Sequence, residues 1–192
     1  MELEILGVKR PVESIVLIGM MGAGKSSVGS CLQQRTGLAL LDTDEIVASK
    51  FGMSIPQIFA KYGEKKFREA ETKALGELAM AKQTIIVTGG GTVLREENVE
   101  ILRRMGVIMW LDGNEDTLFA RASQERNRPL LQTKNPRKAF SQIFDARRSL
   151  YMDIADVRID TSVLTEEEVA VAILAKLKRM NPKPELPILG TA

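Results

Sequence analysis

The sequence contains no histidine. Ser-His and Cys-His nucleophilic pairs, a histidine base and a histidine metal centre are thereby excluded, so acid–base work falls to carboxylates, lysine or bound water. There is one cysteine, Cys31, and no internal disulfide can form; the thiol is expected to pack as a small apolar group, in keeping with a reducing setting. Neither sign of charge is in excess: 27 basic and 25 acidic residues leave a net charge of +2. That balance supplies no general attraction for nucleic acid or an anionic membrane. No apolar run approaches the length that spans a bilayer. Glu2 and Glu4 stand without a secretory apolar core or a transit-type composition, so a cytoplasmic protein is expected. A guanine-reading Asn-Lys-x-Asp is also missing, which argues against a GTP-dependent switch.

What is present suits one globular domain with a full core and room for a small lid: 192 residues, 44% apolar and 27% charged. Gly19-Met20-Met21-Gly22-Ala23-Gly24-Lys25-Ser26 fits Gly-x-x-x-x-Gly-Lys-Ser, a phosphate-cradling loop. Ser14–Ile18 before it reads as a buried strand, and Ser26 to Arg35 after it has helical spacing. Strand, loop and helix together aim backbone N–H groups and a helix N-terminus at an anion. Gly22, Ala23, Gly24, Lys25, Ser26 and Ser27 are the candidate nucleotide-binding residues. Lys25 reaches the β- and γ-phosphates and the Ser26 hydroxyl ligates Mg²⁺ in this reading.

Four more apolar runs follow, at Leu38–Leu41, Thr84–Thr88, Val107–Leu111 and Val157–Asp160, alternating with helical patterns. The pattern predicts a five-stranded parallel sheet with helices on both faces, an α/β fold. Ser54 to Tyr62 and Glu64 to Ala81 read as two helices parted by Gly63. Thr165 and Glu168 make a capping-box pattern ahead of the last helix. Residues 1–13 read as a lead-in and Gln124 to Arg137 as a mobile loop; 181–192, with three prolines, reads as a disordered tail.

Asp42 and Asp44 fall at the C-terminal end of the second predicted strand, where ligands of open α/β sheets gather. Asp42 is the natural holder of Mg²⁺ through its water shell, leaving Asp44 for a substrate hydroxyl. A bland alternative makes Asp44 only the cap of the next helix. Gly89-Gly90-Gly91 permits either a tight turn or close approach of a ligand. Among the arginines, Arg128 in Arg128-Pro129-Leu130-Leu131 sits on a rigid unit within the loop, placed to close over phosphates. Most of the others read as solvated charge.

Taken together, these residues resemble the shikimate kinase family from about Ile15 to Met180. The carriers are the phosphate loop, Leu41-Asp42-Thr43-Asp44, Phe67-Arg68-x-x-Glu71, the triple glycine, Arg128-Pro129-Leu130-Leu131, and Arg147-x-x-x-Tyr151 with Ala155-Asp156. The resemblance implies a P-loop kinase fold with strand order 2-3-1-4-5 and a mobile lid at about 124–137, on a single domain of residues 1–180. It also implies transfer of the ATP γ-phosphoryl group to the 3-hydroxyl of shikimate, with Mg²⁺, by a monomer. By similarity Lys25, Asp44 and Arg128 are catalytic, Ser26 and Asp42 serve the metal, and Arg121 lies against adenine. Asp44, Arg68, Arg147, Gly89, Gly90, Gly91, Phe59 and Phe67 bind shikimate, with Glu71 positioning the arginines.

Two positions depart from the family pattern: Ser27 where Thr is common, and Ser149 where Pro often precedes Leu-Tyr. The second bears on Arg147, because Arg148 stands beside it. The rival readings are another hydroxy-acid kinase, resembling gluconate kinase, and a non-catalytic nucleotide-binding relative.

Overall fold

A computed structural model describes residues 2–5, 8–11, 14–124 and 128–180. The expected tail, 181–192, lies outside the described residues, as do 125–127 of the expected lid. Where a lead-in was expected, β1 (Glu2–Ile5) and β2 (Val8–Pro11) pair as an antiparallel hairpin. The signal was present, since Glu2-Leu3-Glu4-Ile5 alternates polar and apolar, but four residues are too short a window for a period to be read.

Five parallel strands follow: β3 (Ile15–Ile18), β4 (Ala39–Asp42), β5 (Thr84–Val87), β6 (Val107–Asp112) and β7 (Val157–Asp160). Their order is β4-β5-β3-β6-β7, which is 2-3-1-4-5 counted from the first parallel strand. Every residue of β3, β5 and β6 is buried, as continuous apolar runs require when both sheet faces are covered. Edge strands β4 and β7 are only partly buried.

The chain steps outward from β3 to β4 in one direction and from β5 through β6 to β7 in the other. Right-handed crossovers therefore place α1 (Lys25–Thr36) on one face, where α7 (Glu166–Met180), after the last strand, packs against it. The other face takes α4 (Glu96–Met105) and α6 (Pro136–Ile154), with α5 (Glu115–Gln124) leading into α6. At the start of α7, the Thr165 N–H donates to Glu168 Oε2 (2.8 Å) and the Glu168 N–H to Thr165 Oγ1 (3.3 Å). The expected capping box is thus formed. The loop between α5 and α6 is shorter than its composition suggested. Pro129–Leu131 forms a 3-10 turn, and Asn135 caps α6 with Pro136 in its first turn. Asn135-Pro136, inside the expected loop, is here a helix start.

Helices α2 (Thr43–Phe51) and α3 (Ile55–Leu78) stand beside the sheet and share a small core of Val47, Ile58, Phe67 and Ala74. Gly63 kinks α3 at φ 77°, a backbone conformation that side chains other than glycine's rarely tolerate. The two expected helices are the two limbs of this kinked one. Among the described residues, no helix is long and apolar enough to cross a membrane.

Candidate active site

The C-terminal ends of β3, β4 and β5 open onto two adjoining cavities. The first, of about 300 Å³, is lined by Gly22, Gly24, Lys25, Ser26, Ser27 and Arg121, among others. The loop above it is held from behind: a Cβ at Gly22 would lie 2.2 Å from the Leu118 carbonyl oxygen of α5, so helix backbone packs directly on the turn. Ala23 is buried, and its N–H is used within the loop by the Met20 carbonyl (3.2 Å); its side chain does not reach the cavity. Lys25 Nζ donates to the carbonyls of Gly19 (2.9 Å) and Met20 (3.1 Å). Burial, and then the neighbouring Arg128, bring its pKa down to about 8 against the opposing pull of Asp44 and Asp42. Arg121 is anchored by Thr161, through its carbonyl (2.9 Å) and hydroxyl (3.3 Å).

Asp42 divides its carboxylate. Oδ1 accepts from the Asp44 N–H (2.9 Å) and caps α2, while Oδ2 accepts from the Ser26 hydroxyl (3.2 Å). The chain does not stay extended to residue 44, and the cap is Asp42 rather than Asp44, because the helix starts at Thr43. No cluster of three or more His, Cys, Asp or Glu among the described residues is arranged to hold a metal. The Ser26–Asp42 pair is instead the donor set of two hard oxygens that suits Mg²⁺ when phosphates and water complete its shell.

Asp44, in the first turn of α2, leaves Oδ1 buried and without a hydrogen-bond partner among the described residues. Burial, with Glu71 and Asp42 nearby, pushes its pKa up to about 6, although Lys25 and Arg68 pull the other way. It lines both cavities. The second, of about 490 Å³, is also walled by Phe59, Phe67, Arg68, Arg147, the triple glycine and Arg128. Phe59 and Phe67 pack ring against ring at 4.9 Å. Arg68 is buried and braced by two carboxylates: Nη1 donates to Glu71 (2.8 Å), and Nε and Nη2 to Glu64 (3.3 and 3.2 Å). Glu71 is itself fully buried and accepts from the Thr92 hydroxyl (2.5 Å).

The triple glycine is explained by close approach and not by turn geometry, since none of the three has a positive φ. A Cβ at Gly91 would stand 2.2 Å from Arg68 Nη2, and one at Gly89 would stand 2.5 Å from Glu71 Oε1 and 2.7 Å from Asp44 Oδ1. Arg147 is buried on α6. Arg148 turns away to pair with Asp112 (3.5 Å) and cover Phe144, so the two neighbours have separate tasks. Ser149 is exposed on an unbroken helix and leaves the burial of Arg147 intact. Ala155-Asp156 belongs elsewhere: Asp156 binds the backbone N–H (2.8 Å) and carbonyl (2.9 Å) of Ile108 at the far end of the sheet.

A sequence model of the shikimate kinase family matches residues 21–178. The chain is 42% identical over 170 residues to a shikimate kinase of Thermodesulfovibrio yellowstonii, covering 88% of this chain and 98% of that protein. It belongs to the shikimate kinase family. Among solved structures, shikimate kinase from Acinetobacter baumannii in complex with shikimate superposes with a TM-score of 0.86 at 34% identity, covering 91% of this chain and 97% of that one. A gluconokinase from Sinorhizobium meliloti, at 21% identity and a TM-score of 0.58 over 89% of this chain and 94% of that one, shares the fold alone. Within this shikimate kinase frame, sequence reasoning passed over Glu64, Thr92 and Tyr151 as site residues. Glu64 could have been found from its i, i+4 spacing to Arg68. Tyr151 has the same spacing to Arg147, in Arg147-x-x-x-Tyr151; no local pattern marks Thr92.

Proposed function

We propose that the larger cavity takes shikimate and the smaller the phosphates of ATP, and that the enzyme transfers the γ-phosphoryl group to the 3-hydroxyl. One observation carries this reading: Asp44, with a buried oxygen that has no hydrogen-bond partner among the described residues, shares its cavity with two buried arginines and faces the phosphate loop. Arg68 and Arg147 fork onto the substrate carboxylate. Phe59 and Phe67 pack on the ring, and Gly89, Gly90 and Gly91 give it room.

Phosphoryl transfer through a loose transition state asks for alignment and charge neutralisation more than for a strong base. Asp44 orients the hydroxyl and accepts its proton late. A pKa near 6 makes it a better acceptor than an ordinary carboxylate while leaving it ionised at neutral pH. Lys25 and Arg128 neutralise charge on the transferring group. Arg128 lines both cavities, on the segment around 124–137 that acts as the lid. Arg121 lies against the adenine. Mg²⁺, held by Ser26 and through water by Asp42, would offset the phosphate charge. The site as assigned draws on no second copy, in keeping with a monomer, and its use of ATP supports a cytoplasmic location.

The test is to follow ADP release by purified protein with ATP and Mg²⁺, offering shikimate and gluconate separately. Turnover with shikimate is expected. Turnover with gluconate alone would replace the substrate, and ATP binding without turnover would make the protein a non-catalytic relative.

A further inference from the structure

The three glycines after β5 back onto different groups around the site, Gly90 also onto the phosphate loop, with the Gly19 carbonyl 3.4 Å from its Cβ position. Gly89 lies against Asp44 and Glu71, Gly91 against Arg68, and Gly90 near the Tyr151 hydroxyl, at 3.6 Å from its Cβ position. Tyr151 Oη donates to the Gly90 carbonyl at 2.5 Å. Arg147 lies four residues earlier on α6, on the same face, and its charge acts on that hydroxyl at close range. We propose that Tyr151 is a positioning residue, whose hydroxyl sets Arg147 against the glycine loop so that the substrate carboxylate meets Arg147 and Arg68 together. This rests on the shikimate kinase reading of the site.

The polarity of the hydroxyl is forced. Its proton goes to the Gly90 carbonyl, which can only accept, so a lone pair is what it offers the Arg147 guanidinium, which can only donate. Phenylalanine can do neither. The ring is fixed independently, being almost fully buried and stacked on Trp110 with centroids 6.1 Å apart. Burial also pushes the hydroxyl pKa up to about 12, so it keeps its proton throughout the working range.

The two arginines are braced by opposite means. Two carboxylates hold Arg68, whereas Arg147 makes no ion pair among the described residues and has a neutral hydroxyl beside it. A neutral brace orients a guanidinium without cancelling its charge, leaving that charge for the incoming carboxylate. Arg68 is the fixed half of the clamp, and Arg147 supplies the net attraction.

Tyr151→Phe tests this with two acceptors, shikimate and its methyl ester, which keeps the ring and hydroxyls but lacks the anionic group. Losing the lone pair offered to the guanidinium should lower kcat/KM for shikimate about tenfold, mostly through KM, while the ester changes less than about twofold and the KM for ATP holds. In an Arg147→Ala background, adding Tyr151→Phe should leave the acid-to-ester ratio where Arg147→Ala put it. Equal losses for acid and ester would make Tyr151 plain scaffold and overturn the proposal, as would independent effects in the double variant. The acid-versus-ester difference in ligand-induced melting shift reads the same preference on the folded fraction. Absence of wild-type shikimate turnover would overturn the substrate reading and this proposal with it; a wild-type preference for the acid that Tyr151→Phe leaves intact overturns the proposal alone.

Discussion

Gly91→Ala adds one carbon at the point where the glycine loop touches Arg68. The new Cβ would lie 2.2 Å from Nη2, 2.4 Å from Cζ and 2.5 Å from Nη1, whereas non-bonded carbons settle at about 3.5 Å or more. One partner must therefore retreat by more than about 1 Å. A surface arginine would simply swing aside, but Arg68 is tied to Glu64 and to a fully buried Glu71. Releasing Glu71 would cost about 3–5 kcal/mol, as for any buried pair that loses one member. Loop and helix should instead part slightly, at the ordinary overpacking cost of about 1–3 kcal/mol. The fold survives with a melting temperature lower by several degrees. Recognition should not survive, because a misplacement of about 1 Å at a reacting centre can cost about a hundredfold. Initial rates across shikimate and ATP concentrations should show kcat/KM for shikimate about a hundredfold lower and the KM for ATP nearly unchanged. Gly76→Ala is the control: on the same helix, with nothing within 4 Å of its Cβ position, it should gain up to about 1 kcal/mol and keep full activity. A Gly91→Ala enzyme within about threefold of wild type would refute the close-approach account, since that would mean Arg68 can move without consequence.

Asp44→Asn should lower turnover yet stabilise the ligand-free protein. The folded pKa of about 6 lies above the ordinary 3.8, so the folded state holds its proton more tightly and stability falls as pH rises between those values. Above about 6 the penalty is complete, and removing it should return on the order of 1–2 kcal/mol after discounting the solvent-facing part. The melting-temperature gain should therefore be larger at pH 8 than at pH 4; an equal gain at both would refute the assignment. For the wild type, kcat/KM for ATP should rise through about pH 6 as Asp44 ionises and fall above about pH 8 as Lys25 loses its proton. A profile flat from pH 5 to 9 would remove both groups from control. Arg128→Ala should cut kcat by about a thousandfold while ATP binding, followed by calorimetry, changes little. Near-normal turnover would take Arg128 out of the mechanism.

The chain's local chemistry was enough for the frame. Buried strands show as apolar runs, the phosphate loop as glycine spacing between a strand and a helix, and the Thr165–Glu168 cap as a three-residue offset, because each depends on neighbours in sequence. The pairing of Glu2–Ile5 with Val8–Pro11 and the helix start at Asn135-Pro136 were missed for want of length and of a decisive partner. At the site, residue order alone could not tell whether Asp42 or Asp44 caps α2, whether Arg147 or Arg148 faces the cavity, or why three glycines stand together. Those answers depend on which groups meet across the fold. Asp42 is drawn to Ser26, sixteen positions away, Thr92 to Glu71 at twenty-one, and Tyr151 to Gly90 at sixty-one. A hydrogen bond between distant segments leaves no period in the sequence, and a missing Cβ acquires its meaning only from the atom that would have occupied the same space.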